Sequence, residues 1–545
     1  MDHHPPPSED YTTWTTTALI HRVTALETQL RAQQQQQDAT HKALNKKPPQ
    51  KKKPKTFDPD KYHTRLIALK FAYLGGKYNG FEHHNKNFTP LPTIEEELYR
   101  ALKKTKLIFP RHRDGQSEEE VCWEGCEYSK CGRTDRGVSA FGQVIGVRVR
   151  SARPKVVVDD EQEELPDAEE EEEEEGEAER TGEKKQKTFD SVRDELPYIQ
   201  LINRVLPPDI RILAWCPHPP RDFSARFNCK ERRYRYFFTN PAYIPLPGGS
   251  AAGAGEGWLD VEAMSQAAKK YEGLHDFRNF CKIDGSKQIS DFSRRIFHAG
   301  IYQVPSGRDQ SNGKEHSLSP RLFYFEVRGS AFLWHQVRHL VAILFLVGQG
   351  YEKPSIVDEL LDIQKTPARP LYEMASDIPL VLWECLFPDP EKVAIADHVN
   401  GDSGSFAGYE DALDWVYVGD ERGGRDQSKR ATTAVEDGKH GRNGIMEELW
   451  ALWRKRKMDE ALAWNLMEVV AAQGRQLRID PSELPSKSES ARLFDGSERP
   501  RTVGPYVPVM QRERMETPDV VNARYAARKG LNWTAKSADN IDIDE

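Results

Sequence analysis

The stretch 130-KCGRTDRGVSAFGQVIGVRV-149 decides how this chain folds. Its second half, from Gln143 to Val149, carries Val144, Ile145, Val147 and Val149, the β-branched content of a buried strand. Its first half sets Asp135 between Arg133 and Arg136, with Gly132 and Gly137 outside them. Glycines there let the backbone take angles closed to other residues, and flanking cations can hold an acid ionised. A turn of this kind on the end of a strand presents an oriented carboxylate on a rigid mount. Such a group can act as nucleophile, general base or electrostatic stabiliser, although an aspartate bonded only within its own turn leaves the same trace.

Upstream, 65-RLIALKFAYLG-75 alternates as a strand and ends in the turn Gly75-Gly76; Thr93 then caps a helix over 94–108, with Glu96 in the capping-box position. Downstream, 196–217 reads as a helix that stops at Pro207-Pro208 and becomes a strand, and 221–240 alternates aromatic and basic residues in a strand-like segment. A helix over 260–272, a loop around 275–282, strands near 295–304 and 322–329, a helix over 331–347 and a strand over 379–387 complete the pattern. Interspersed helices and hairpins predict an α+β fold, with helices over one face of a mixed or antiparallel sheet. Residues 57–215 and 216–390 divide as two sheet-bearing halves meeting at a cleft.

The flanks read differently. Residues 1–56 form a tail with a short heptad-like run at Leu19, Val23, Leu26 and Leu30, a glutamine tract and the basic cluster 46-KKPPQKKKPK-55. The segment of about 152–190 is an acidic surface excursion that cannot pack. Residues 391–545 are a linker, relieved by Trp415-Val416-Tyr417-Val418, and a helical extension. Within that extension the helix 445–473 lays Leu449, Leu452, Trp453, Leu462, Leu466 and Val469 along one stripe, which predicts a core-facing helix. The segment 502–530 ends in a basic helix.

Composition narrows the function. The net charge of -8 is a sum of opposites: residues 159–179 alone hold fifteen acids and no Lys or Arg, so the rest of the chain is net basic and suits a polyanionic partner. The longest apolar run, 340-LVAILFLVG-348, is too short to span a bilayer, and the N-terminus has no apolar signal region, so no membrane association is expected. Of seven cysteines, only Cys122, Cys126 and Cys131 lie close in sequence, with no complementary CxxC or His pair; His335 and His339 at helical spacing read as packed side chains. Neither metal nor cofactor is expected.

Two further stretches keep company with Asp135. One is Phe223-Ser224-Ala225-Arg226-Phe227 with Arg232-Arg233-Tyr234-Arg235-Tyr236; the other is Ala331-Phe332-Leu333-Trp334-His335-Gln336-Val337-Arg338. Arg338 falls on an otherwise apolar helix, where an unpaired guanidinium is costly, so it needs an anionic partner, and Asp135 is a candidate.

Together these stretches resemble the TruA-type family of tRNA pseudouridine synthases. The family's RTDxGV turn stands here as Arg133-Thr134-Asp135-Arg136-Gly137-Val138, continued by Gly142-Gln143-Val144. Its N-terminal strand and turn match 70–81 with Thr93-Ile94-Glu95-Glu96, and its asparagine and LP turn match Asn203 with Leu206-Pro207-Pro208-Asp209-Ile210. Its FxARF, RRYRY and FxxxxVR segments match 223–227, 232–236 and 332–338. The order is kept across about 65–390. The segments 274-LHDFRNFCK-282, 378-IPLVLWECLF-387 and 506–530 look closest to eukaryotic members that modify uridines 38 and 39 of the tRNA anticodon arm.

The resemblance implies the pseudouridine synthase fold with a central RNA-binding cleft, tRNA as partner and no cofactor, in the nucleus and cytoplasm. It implies Asp135 as nucleophile, Arg338 pairing with it, Tyr234 stacking on a flipped uracil, and Arg133 filling vacated space or touching phosphate. Lys and Arg of 230–235 and 524–530 would meet phosphates. The oligomeric state is left open, a homodimer being one arrangement. Two rivals remain: a catalytically idle RNA-binding protein, and a two-carboxylate glycosidase for which Glu326 is the only second acid to nominate.

Overall fold

The computed structural model describes residues 58–85, 89–112, 117, 120–154, 189–245, 256–305, 320–393, 409–420, 438–441, 444–474 and 490–531, and seven helical positions between 16 and 30. The glutamine tract, the basic cluster 46–55, most of the acidic excursion and most of the linker lie outside the described residues. Residues 1–61 and 62–545 form separate compact units. In the first, Ile20, Val23, Leu26 and Leu30 are helical and exposed, so this apolar run is not buried within its own unit.

The second unit is built on one ten-stranded sheet. Strand β1 (Tyr62–Tyr73) pairs antiparallel with β3 (Ser139–Pro154) and, on its other edge, with β4 (Ile210–Cys216), which carries the short edge strand β10 (Val416–Tyr417). The two-residue strand β2 (Ser129–Lys130) also adds to β3. From the C-terminal half come β5 (Glu231–Asn240), β6 (Gly273–Asp276), β7 (Ser293–Gln303), β8 (Arg321–Gly329) and β9 (Leu380–Leu386). They run β9-β5-β8-β7-β6, antiparallel throughout. The halves join where β3 and β9 lie parallel over Ser139↔Val381 and Ala140↔Leu382. The two sheet-bearing halves therefore share one continuous sheet, and its seam falls directly after the Asp135 turn.

Helices cover each half. In the first, α1 (Ile94–Lys104) starts on the expected capping box, Thr93 Oγ1 accepting from Glu96 N–H and Glu96 Oε2 accepting from Thr93 N–H. It stops four residues short of the expected end: Lys106 turns left-handed at φ 54°, and the Leu107 N–H reaches back to the Leu102 carbonyl, closing a Schellman motif. That closure turns the apolar Leu107-Ile108 pair into the core rather than along a helix. The short α2 (Tyr198–Asn203) precedes β4. In the second half α3 (Val261–Lys269), α4 (Gln336–Gly348) and α5 (Ile356–Leu361) pack around a second core. Of these α5 has no counterpart in the sequence reading, and β6 lies where a loop was expected.

Two hydrophobic clusters result, and the seam divides them: Ala140 belongs to the first, Val138 to the second, and Tyr234 packs against both. The C-terminal segment adds a small hairpin, β11 (Ala491–Leu493) and β12 (Arg501–Val503), and the expected basic helix, α7 (Pro518–Lys529). The long helix α6 (Ile445–Ala472) forms as expected but faces solvent. Leu462 and Leu466 are 72% and 65% exposed, and Ile445 is its one buried residue, which corrects the reading of its stripe as core-facing. Among the described residues no helix is long and apolar enough to cross a membrane.

Candidate active site

Local geometry makes the Asp135 turn. The Asp135 carbonyl accepts the Val138 N–H at 3.2 Å, and Gly137, third in the turn, sits at φ +81°, the left-handed value a type II turn demands there. Space is as tight as conformation: a Cβ on Gly137 would come 2.9 Å from Asp377 Oδ2, and one on Gly75 would collide with the Val138 carbonyl. Gly75 N–H also donates to Ser139 Oγ at 3.0 Å, and Phe81 N–H donates to the Thr134 carbonyl at 3.0 Å. Thr134 Oγ1 meets the buried Tyr73 hydroxyl at 2.7 Å. The fully buried Gln143 closes the base of the loop, its amide donating to the Gly132 carbonyl while its Oε1 accepts the Gly132 N–H. The turn is thus held from both sides, which is what a positioned carboxylate requires.

Asp135 itself is half-buried, and the side chain it meets is His335, with Nε2 3.4 Å from Oδ2. His335 is the N-cap residue of α4, makes no side-chain cap hydrogen bond, and holds a left-handed backbone, φ 61° and ψ 10°, a conformation uncommon outside glycine. That conformation ends the irregular segment 331–335 and explains why α4 begins at Gln336 and not at 331. Strain of this sort concentrates at functional positions. Arg338, one turn along α4, makes no ion pair with Asp135 among the described residues. Its Nε donates to the Ala375 carbonyl at 2.7 Å, so the expected Asp135 pairing is replaced by a backbone anchor. His335, read from the sequence as a packed side chain, takes the neighbouring position; His339, read alike, is indeed packed, edge-on to Tyr372. A left-handed cap has no compositional mark in a non-glycine residue, so the sequence held no signal for it.

Tyr234 lies on β5 opposite Leu382 of β9, which in turn faces Ala140 of β3, in a row crossing the seam. Residues directly opposed in a sheet share a face, so Tyr234 projects on the same side as Tyr73, also opposite Ala140. Its ring meets Phe332 edge-on at 5.1 Å. Burial, with the buried Cys385 nearby, pushes its phenol well above the ordinary range, so the hydroxyl stays protonated. Arg133 is exposed and its Nη1 lies 3.5 Å from Glu82, which also binds Lys130 at 2.9 Å. Burial alone would raise Glu82, and these two cations outweigh it, holding the carboxyl below its usual value.

Two sequence readings need correction. The three arginines of 230–235 are not a free phosphate-binding strip. Arg232 donates to the carbonyls of Cys131, Arg226, Cys229 and Ser330; Arg233 pairs with Glu384; Arg235 binds Glu326 at 2.7 Å and lies 3.9 Å over the Trp383 ring. Glu326, the nominated second carboxylate, is one residue out of step with Val327, the partner of Tyr234, so it projects from the opposite face. The acid that does approach the turn is Asp377, against Gly137. It sits in a loop 242 positions along the chain, and no spacing announces it.

The profile of a family described as "tRNA pseudouridine synthase" matches residues 267–388. The chain is 40% identical over 387 residues to the "tRNA pseudouridine(38/39) synthase" of Saccharomyces cerevisiae, which covers 70% of this chain and 72% of that protein. The chain belongs to the tRNA pseudouridine synthase family. It is also 42% identical to the "tRNA pseudouridine(38/39) synthase" of Homo sapiens over 61% of this chain, spanning 58% of that protein's length. A more distant family member, the "tRNA pseudouridine synthase A" of Methanothrix thermoacetophila, is 29% identical over 54% of this chain. The profile match contains His335, Arg338 and Asp377 but not the Asp135 turn, so the candidate site combines residues from the matched C-terminal half with a turn that lies outside that match.

Proposed function

We propose that this synthase isomerises uridine to pseudouridine at positions 38 and 39 of the tRNA anticodon arm, with Asp135 as nucleophile. The observation that carries the reading is the position of Asp135: a half-buried carboxylate on an immobilised turn at the seam of the sheet, beside His335. The printed names of the yeast and human relatives support the two positions.

The chemistry then follows from the residues. The target uracil is stacked within the RNA and must be turned out to reach a recessed acid. Asp135 adds covalently at the base or the ribose and the N1–C1′ bond breaks; the freed uracil rotates, C5 bonds to C1′, the bond to Asp135 breaks and returns the free carboxylate, and the C5 proton leaves as N1 gains one. No atoms or electrons are exchanged with another reactant, so the reaction needs neither redox partner nor external energy. Tyr234 offers a ring for stacking and a protonated hydroxyl on the face of the sheet that carries Tyr73, whose hydroxyl meets Thr134 of the Asp135 turn. Arg338 acts as a positioning residue that pins the 375–377 loop to α4, and Arg133 and Arg136, both exposed, face the RNA.

The test is to map pseudouridine in tRNA from cells lacking this protein and from cells rescued with wild type or Asp135→Ala. Loss at 38 and 39 that wild type restores and Asp135→Ala does not is expected. Restoration by the variant would falsify the nucleophile, and favour an idle RNA-binding protein; unchanged modification at both positions in the deletion would sink the positional assignment.

A further inference from the structure

We infer that Cys131, Cys229 and Cys385 form a three-thiolate zinc site beneath the Asp135 turn. Their Sγ atoms all lie within 4.8 Å of one another and all three side chains are buried. Tetrahedral zinc with Zn–S bonds of 2.3 Å holds its sulfurs about 3.8 Å apart, so small side-chain rotations close these three around one ion.

The three come from separate parts of the fold. Cys131 follows β2 and stands four residues before Asp135, Cys229 ends the loop before β5, and Cys385 lies in β9. Each is fixed by backbone contacts independent of its sulfur. Cys131 N–H donates to the Val144 carbonyl, Lys230 N–H beside Cys229 donates to the Leu386 carbonyl, and Cys385 pairs with Arg232 across β9 and β5. Sulfurs held this way are preorganised for a soft ion, at little further cost in chain entropy.

Charge balance supports the same assignment. Three thiolates and Zn²⁺ carry one net negative charge, and the three displaced protons leave to solvent. The Arg232 guanidinium supplies the compensating positive charge: its Nη2 donates to the Cys131 carbonyl at 3.1 Å and its Nη1 to the Cys229 carbonyl at 3.4 Å. This gives a half-buried arginine on a sheet a second role, as an outer-sphere partner. Among the described residues no histidine or carboxylate joins the cluster, so a water molecule would complete the tetrahedron. The site would be a staple: it ties the N-terminal half, one residue before Gly132, to the loop before β5 and to β9 of the C-terminal half.

Elemental analysis of the full-length protein purified without chelator tests this directly, together with the absorption spectrum after Co²⁺ replaces the ion. Stoichiometric zinc, a sulfur-to-cobalt charge-transfer band, and loss of both in Cys131→Ser and Cys385→Ser but not in Cys122→Ser are expected. Should the serine variants fail to fold, the wild-type zinc content and cobalt spectrum decide alone. Zinc-free protein that shows no such band, or a peptide map joining two of the three as a disulfide, would overturn the assignment in favour of packed or oxidised thiols.

Discussion

Helices α4 and α6 both carry large apolar side chains, and the protein treats them in opposite ways. From Val337 to Gly348 every residue of α4 except Arg338 is buried, and the helix packs under the sheet with Tyr236, Phe238 and Phe325. In α6, Leu449, Trp450, Trp453, Leu462 and Leu466 are all exposed, and the helix is held at its first turn by the buried Ile445 and by Glu448 bound to Arg211 at 2.7 Å. Hydrophobic periodicity reports that a face needs cover, not which neighbour supplies it. What separates the two is their surroundings: α4 is enclosed by strands before and after it in sequence, whereas α6 follows a polar spacer that delivers it to no complementary surface within the described residues.

The sharpest way to break this contrast is to cut the same side chain from each helix. Leu344 of α4 has no exposed surface, so Leu344→Ala removes buried methyl groups and leaves a cavity, costing about 2–5 kcal/mol. A thermal melt should show a clear fall in Tm. A shift as small as that of a surface variant would mean that α4 is not the keystone of the second core.

A second cut separates the two roles of α4, as packing element and as mount for the site. His335→Ala removes the imidazole 3.4 Å from Asp135 and relieves none of the core. Release of the carboxylate from its set position should cost roughly tenfold to a hundredfold in turnover, as misplacement by about an ångström does elsewhere, with little change in Tm. Single-turnover measurement on an anticodon-arm RNA reads the effect as a lowered rate with RNA affinity unchanged. Equal losses in rate and affinity would assign His335 to RNA binding instead.

Leu344 and the Asp135 turn also mark what could be read in advance. Leu344 was legible because burial of an apolar run depends on local pattern, and the turn at Asp135 was legible because glycines and an acid are local too. The strand order was not, since the parallel join of β3 to β9 brings together residues more than two hundred positions apart. The same limit hid Asp377, the backbone anchor of Arg338 and the grouping of Cys131 with Cys229 and Cys385, while the nearer Cys122 and Cys126 drew attention and belong elsewhere. Arg232 and Arg235 were misread for a related reason: alternation with aromatics describes an RNA-binding strip and an internally paired strand equally well, and only the partners Glu326, Trp383 and four carbonyls distinguish them.

The smallest effect is expected on α6. Replacing both Leu462 and Leu466 by Ser exchanges good helix formers for poorer ones on an exposed face, so local helicity falls while the main unfolding transition moves by less than about 0.5 kcal/mol. Circular dichroism would register the loss of helix, and the melt of the sheet core would stay where it was. The double substitution also removes two large side chains from an uncovered apolar stripe. If Tm instead drops by an amount like that for Leu344→Ala, the stripe is covered in solution, and the difference between the two helices is one of partner and not of burial.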